Sequence, residues 1–108
     1  MSALRLTVYI LDRENETQVS GVFVRSPVLV GRAPSNDIRL SGSAISRRHG
    51  KFLFGPGSLQ YFDLGSRNGT RIDGHLVEAD IPIDILARSI IEIGRFRLTL
   101  DLHRVAPE

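Results

Sequence analysis

The chain predicts an all-β fold, a sandwich or barrel of short strands, from three observations. Apolar and polar residues alternate with period two in run after run. Turn residues divide those runs about every eight to twelve positions. No window carries a helical period of useful length.

The runs justify this in order. Leu4, Leu6, Val8 and Ile10 alternate with Arg5, Thr7 and Tyr9, the pattern of a half-buried strand. Asp12 to Glu16 is a polar turn. Val22-Phe23-Val24 and Val28-Leu29-Val30 are strands divided by Ser26-Pro27. Ala33 to Asp37 is a loop by composition, Ile38-Arg39-Leu40 a short strand, and Ser41-Gly42-Ser43 a further turn. Phe52 and Phe54 alternate with Lys51 and Leu53, and Gly55-Pro56-Gly57 turns the chain back into Ser58 to Phe62 as a hairpin. Asp73-Gly74 after Ile72 is a strong turn dipeptide. Ile81, Ile83 and Ile85 alternate with Pro82 and Asp84; Pro82 lacks an N–H, which places this strand at an edge. Asp84 to Ile91 is the one segment where a few residues of helical turn compete. Ile90 to Ile93 leads through Gly94-Arg95 into Phe96, Leu98, Leu100 and Leu102, again on period two.

At 108 residues the chain is read as a single domain, residues 1–108, with a core from about 4 to 102 and short frayed tails, the last from Arg104. Its apolar fraction of 42% is that of an ordinary globular core, which argues against disorder. No cysteine is present, which removes a disulfide framework and a thiolate metal site. The N-terminus lacks the apolar run of a signal peptide, and no segment approaches the length of a membrane span. A cytoplasmic protein without membrane attachment is the expectation. No cofactor is expected, and the chain is expected to be monomeric on its own.

Charge is concentrated. Net charge is +2, but Arg32, Arg39, Arg47, Arg48 and Arg67 all fall between Gly31 and Thr70, against Asp37 and Asp63 as the acids there. These arginines sit beside turn residues, where a local positive field attracts an anion. Three polar clusters organise the stretch: Gly31-Arg32, Ser46-Arg47-Arg48-His49 and Ser66-Arg67-Asn68-Gly69-Thr70. Guanidinium forks, a hydroxyl and a side-chain amide are the groups that hold a phosphate attached to a peptide. Each cluster also has a plainer meaning: Arg32 as a surface ion pair, Ser46 as a turn residue, Asn68-Gly69 as a tight turn. Arg47 and Arg48 would leave a strand on opposite sides, so one of the two is taken as a phosphate ligand. His49, His75 and His103 show no metal-ligand spacing. Ser46, His49 and Asp63 offer the residue types of a nucleophilic triad, but no strained elbow surrounds Ser46. A buried His49 bonded to loop backbone is the preferred role. The sequons at Asn15 and Asn68 are chance matches in a chain without a secretion signal.

These residues, in this order and spacing, resemble the forkhead-associated (FHA) domain pattern. The resemblance rests on Gly31-Arg32, Ser46-Arg47-Arg48-His49 and Asp63-Leu64-Gly65-Ser66-Arg67-Asn68-Gly69-Thr70, with Asp37 to Leu40 as the loop-to-strand step. It extends over nearly the whole chain. It implies a β-sandwich of about eleven strands with binding loops at one end. It implies a non-catalytic module that binds phosphothreonine-containing proteins in Ser/Thr kinase signalling. By matching positions, Arg32 and Ser46 would hold the phosphate with Arg47 beside them, Asn68 would bond the peptide backbone, and Arg67 would line the pocket beside the threonine. Gly31, His49 and Gly69 match positions that shape the loops. Arg67 departs from the small residue or threonine that many members carry there.

Three rivals are weighed against this reading. A module of the same fold that binds an unphosphorylated partner would have no need of Arg32, Ser46 and Asn68 together. Nucleic-acid binding is suggested by a pI of about 9.7, but it wants aromatic platforms or a basic stripe, and the arginines converge on loops instead. A hydrolase lacks its elbow.

Overall fold

A computed structural model of the chain describes residues 3–105. Eleven strands follow one another: β1 (Ala3–Asp12), β2 (Thr17–Phe23), β3 (Val28–Gly31), β4 (Ile38–Arg39), β5 (Gly50–Gly55), β6 (Ser58–Asp63), β7 (Arg71–Ile72), β8 (His75–Leu76), β9 (Ile83–Asp84), β10 (Ile91–Ile93) and β11 (Phe96–Val105). They form a six-stranded sheet in the order β2-β1-β11-β10-β7-β8 and a five-stranded sheet in the order β4-β3-β5-β6-β9. The chain is an all-β sandwich, and no helix occurs among the described residues.

Period two decides which side chains meet between the sheets. Leu6 and Val8 of β1, Leu98 and Leu100 of β11, and Ile91 and Ile93 of β10 are buried from one sheet. Val28 and Val30 of β3, Phe52 of β5 and Tyr61 of β6 are buried from the other. The Phe52 and Tyr61 rings, on facing register positions, lie 5.0 Å apart and tilted by 58°, a favourable aromatic pair.

The turns follow their chemistry. Asp73 and Gly74 both take positive φ, 51° and 83°, the mirror-image turn that a two-residue hairpin between β7 and β8 requires. The Asp12 carboxylate accepts the N–H groups of Glu14 and Asn15 and so builds the turn between β1 and β2.

Four local readings change. The second strand begins at Thr17, not Val22, because β1 templates it from Asp12↔Thr17 onward. Most of β2 is exposed, so no period two marks it. The alternation from Ile81 to Ile85 yields strand only at Ile83–Asp84, directly after Pro82, although β9 is an edge strand as expected. No helical segment follows: Ser89 closes a turn on Leu86 by accepting its N–H and donating its own to the Leu86 carbonyl. Arg104 and Val105 are not frayed, since β11 continues there, opposite Leu4 and Ala3 of β1. Residues 106–108 of the expected tail lie outside the described residues.

Candidate functional site

The register Val30↔Gly50↔Asp63 brings the end of β3, the start of β5 and the end of β6 to one end of the sandwich. All three polar clusters leave from these positions, so the sheet itself gathers them.

The first two loops are zipped by backbone. Arg32 donates its N–H to the Ser46 carbonyl at 3.0 Å, and Ala33 donates to the Arg47 carbonyl at 3.1 Å. This approach is why Gly31 is glycine: a Cβ there would stand 2.3 Å from the Arg47 carbonyl oxygen. Asn36 reinforces the seam, its amide donating to the Arg47 and Ala33 carbonyls at 2.7 and 2.9 Å. The third loop is tied in by Ser46 Oγ, which accepts the Arg67 N–H at 2.8 Å, and by Asn68 Nδ2, which donates to the Ala44 carbonyl at 3.0 Å.

Two buried groups brace the loops from beneath. His49 is fully buried. Its Nδ1 accepts the Ser46 N–H at 3.1 Å, which leaves Nε2 to carry the proton and donate to the Gly69 carbonyl at 2.9 Å. One neutral imidazole thus joins the second loop to the third, as the backbone-bonded role expected of it requires. Gly69 has φ 82°, and a Cβ on it would meet Leu76 Cδ1 at 2.6 Å. Glycine is required there on both counts.

Asp63 is the second brace. Its Oδ1 accepts the Gly65 and Ser66 N–H groups, and its Oδ2 accepts the Ser66 and Thr70 hydroxyls, all within 2.6–2.9 Å. Because Thr70 gives its proton to Asp63, the Tyr61 phenol donates to Thr70 Oγ1 at 2.8 Å. The ring of Tyr61 lies against Gly50, where a Cβ would clash with its hydroxyl. Ser46 and His49 do not pair as nucleophile and base: His49 Nδ1 accepts the Ser46 N–H, not its hydroxyl.

The electrostatics follow from this bonding. Burial lowers the His49 pKa below its ordinary 6.5, and the Gly69 carbonyl and the Asp63 charge only partly oppose it. Burial alone would raise the Asp63 pKa. The hydrogen bonds from Ser66 and Thr70 outweigh it and hold the carboxyl below its ordinary 3.8. A depressed native pKa means that the unfolded chain binds the proton first, so both groups stabilise the fold above their unfolded values. Stability should therefore be flat between about pH 7 and 9 and fall as pH drops through 6.5, by up to about 1.4 kcal/mol per unit for His49, with a second loss below 3.8. Urea denaturation at several pH values tests this. His49→Asn, which keeps an acceptor for Ser46 but cannot titrate, should erase the upper phase; persistence of that phase would place the titration elsewhere.

The residues singled out from sequence come together with unequal freedom. Arg32 is exposed and anchored by its Nε on the Ile45 carbonyl at 3.1 Å. Its terminal guanidinium nitrogens, and the guanidinium groups of Arg47, Arg48 and Arg67, bond to no described residue. Both Arg47 and Arg48 are exposed. The Ser46 hydroxyl accepts from Arg67 and keeps its own proton to give. Asn68 is exposed and retains one amide N–H and its carbonyl oxygen. Local sequence assigns no bracing role to Asn36, Tyr61 or Thr70. Their roles depend on partners up to eleven residues away that only the folded loops and the strand register bring within reach.

A family model described as "FHA domain" matches residues 28–94, well over half of the chain. The glycogen accumulation regulator GarA of Mycolicibacterium smegmatis is 37% identical over 68 residues, covering 63% of this chain and 41% of that protein. An oxoglutarate dehydrogenase inhibitor of Corynebacterium diphtheriae is 34% identical over 74 residues, covering 68% of this chain and 50% of that protein. The matches thus span about half the length of these curated relatives, or less. Among solved structures, the FHA domain of CT664 from Chlamydia trachomatis superposes with a TM-score of 0.78 at 28% identity, over 89% of this chain and 95% of that one. The family match covers every strand from β3 to β10 and all three loops, and the chain belongs to the FHA-domain family.

Proposed function

We propose that the chain is a phosphothreonine-dependent protein–protein interaction module in Ser/Thr kinase signalling and performs no catalysis of its own. One observation carries the reading. Backbone and buried side chains lock the three loops together and leave the terminal donors of Arg32, the Ser46 hydroxyl proton and the Asn68 amide exposed at the same end of the fold. A phosphate dianion satisfies such an array of donors without reorganising it. Arg32 and Ser46 hold the phosphate in this reading, Arg47 adds charge, Asn68 bonds the peptide backbone, and Arg67 flanks the threonine. The relatives' names, a regulator and an enzyme inhibitor, suit a module that acts by binding.

Screening an oriented phosphopeptide library tests the proposal and returns the flanking preference. Within it, phosphothreonine should outbind phosphoserine several-fold to tenfold. One buried methyl is worth about 0.8 kcal/mol, and threonine loses less rotamer freedom on docking. The Arg67 stem can pack on that methyl while its charged head reaches solvent. Arg67→Ala should therefore narrow the Thr/Ser ratio more than it weakens phosphate binding. Equal affinity of the wild type for both phosphoresidues would remove the methyl contact. Equal enrichment of unphosphorylated peptides would favour the phosphate-blind alternative.

A further inference from the structure

One edge strand of each sheet, β8 of the first and β9 of the second, lies on the same side of the sandwich, and the segment between them, residues 77–82, passes along that side. A groove of about 460 Å³ runs there, lined by Ile72, Leu76, Val77, Ile81, Ile83 and Leu86. Leu76, Ile81 and Leu86 are 60%, 47% and 71% exposed, and they are three of the seven large apolar side chains that the described residues expose. Scattered exposed leucines need no explanation, whereas a cluster in one groove marks a contact surface.

Two observations say what covers it. The first is continuity. Leu76 and Val77 line both this groove and the neighbouring hollow formed by Ser66, Arg67, Asn68 and Gly69. Leu76 packs so closely on Gly69 that a Cβ there would collide with it. A chain leaving the loops therefore crosses Leu76 to enter the groove. The second is charge. Arg71 to Asp84 carries Asp73, Glu78, Asp80 and Asp84 against Arg71 alone, the reverse of the arginine-rich loops. Asp73, Glu78 and Asp84 stand on the groove itself.

We infer that the β8–β9 groove is a second docking site for the same phosphorylated chain, and that it takes an apolar side chain with a basic neighbour, some residues away from the phosphothreonine. The inference rests on the phosphothreonine reading of the loops. It makes the ligand bipartite: the phosphate supplies a switchable anchor, and the groove selects among phosphorylated sequences. Linking the two contacts in one chain makes the second intramolecular, so a weak apolar contact is enough to discriminate.

The test uses labelled phosphothreonine peptides in which one leucine, with a lysine beside it, is walked outward residue by residue through a Gly/Ser sequence. Fluorescence polarisation reads binding to the wild type, to Ile81→Ser/Leu86→Ser and to Leu86→Met. At one spacing the leucine should raise wild-type affinity about tenfold. The double serine variant should lose that gain, keep full affinity for the leucine-free phosphopeptide and melt as the wild type does. Leu86→Met should keep the gain, and a glutamate in place of the lysine should reduce it. If the leucine-free phosphopeptide binds but no spacing helps, or if the gain survives in the double variant, the groove is not part of the site and the phosphothreonine reading stands. If no phosphopeptide binds at all, both fall. If the unphosphorylated leucine peptide binds as tightly as the phosphorylated one, or if the wild type dimerises through the groove and the double variant does not, the occupant is a different molecule and the inference is overturned.

Discussion

Arg32→Ala should weaken phosphopeptide binding roughly tenfold to more than a hundredfold and leave the fold intact. The Arg32 side chain is exposed, and its one described bond within the protein is from Nε to the Ile45 carbonyl. No packed core depends on it. What it offers a ligand is a charged fork already aimed by that bond, so little rotamer entropy is lost on docking. A charge-assisted hydrogen bond is worth about 1.5–3 kcal/mol, or roughly tenfold to more than a hundredfold in affinity. Arg32→Lys should recover only part of it, since an ammonium cannot anchor on Ile45 and present a planar fork at once. Titration calorimetry beside a melting curve checks both variants. Wild-type affinity in Arg32→Ala would take the phosphate away from this loop, and global unfolding would show Arg32 to be structural.

Asp63→Ala should produce the largest loss of stability. Four donors converge on this one carboxylate, and the phenol of Tyr61 is chained to it through Thr70. Removing it takes the acceptor from the buried Thr70 hydroxyl, from the half-buried Ser66 N–H and hydroxyl and from the exposed Gly65 N–H. Each buried unsatisfied group costs about 1–3 kcal/mol, so a loss of about 3–5 kcal/mol is expected after partial relaxation and solvent entry. For a domain of this size that is a fall in melting temperature of roughly 15 °C or more. Asp63→Asn should cost less, because the amide keeps one carbonyl oxygen and the hydroxyls can turn to accept. Binding should weaken in both, since Asp63 sets the loop that carries Arg67 and Asn68. A drop of less than about 1 kcal/mol in Asp63→Ala would mean that the carboxylate is not the brace drawn above.

Much of this was legible in local sequence, for reasons that the structure makes specific. Turns were readable wherever a residue type forces a backbone angle, as at Asp73-Gly74 and Gly55-Pro56-Gly57. The long strands β1 and β11 were readable because each buries one face. β2 was not, since exposure on both sides of most of the strand erases the alternation. The two-residue strand β9 was overestimated because the isoleucines around Pro82 alternate while the proline ring removes a ladder donor. The ligand-facing residues stood out by chemistry: an arginine after a glycine, a serine before arginines, an amide before a glycine. The supporting polar groups did not. Tyr61 looks like any core aromatic until the Gly50↔Asp63 register places it over a glycine and under Thr70. Asp63 has the residue type of a triad member, yet its hydrogen-bond partners are donors from Gly65 to Thr70, and His49 Nε2, 4.0 Å away, bonds the Gly69 carbonyl instead. The apolar groove between β8 and β9 was invisible because His75-Leu76 and Ile81 to Leu86 meet only when two different sheets end on the same side.

The most direct measurement is a calorimetric titration of the wild-type chain with one library-selected peptide in three forms: phosphothreonine, phosphoserine and unmodified threonine. The expected result is saturable one-to-one binding of the phosphothreonine form, binding several-fold to tenfold weaker for phosphoserine, and no detectable heat for unmodified threonine. Equal binding of the phosphorylated and unmodified threonine forms would contradict a role in reading phosphate.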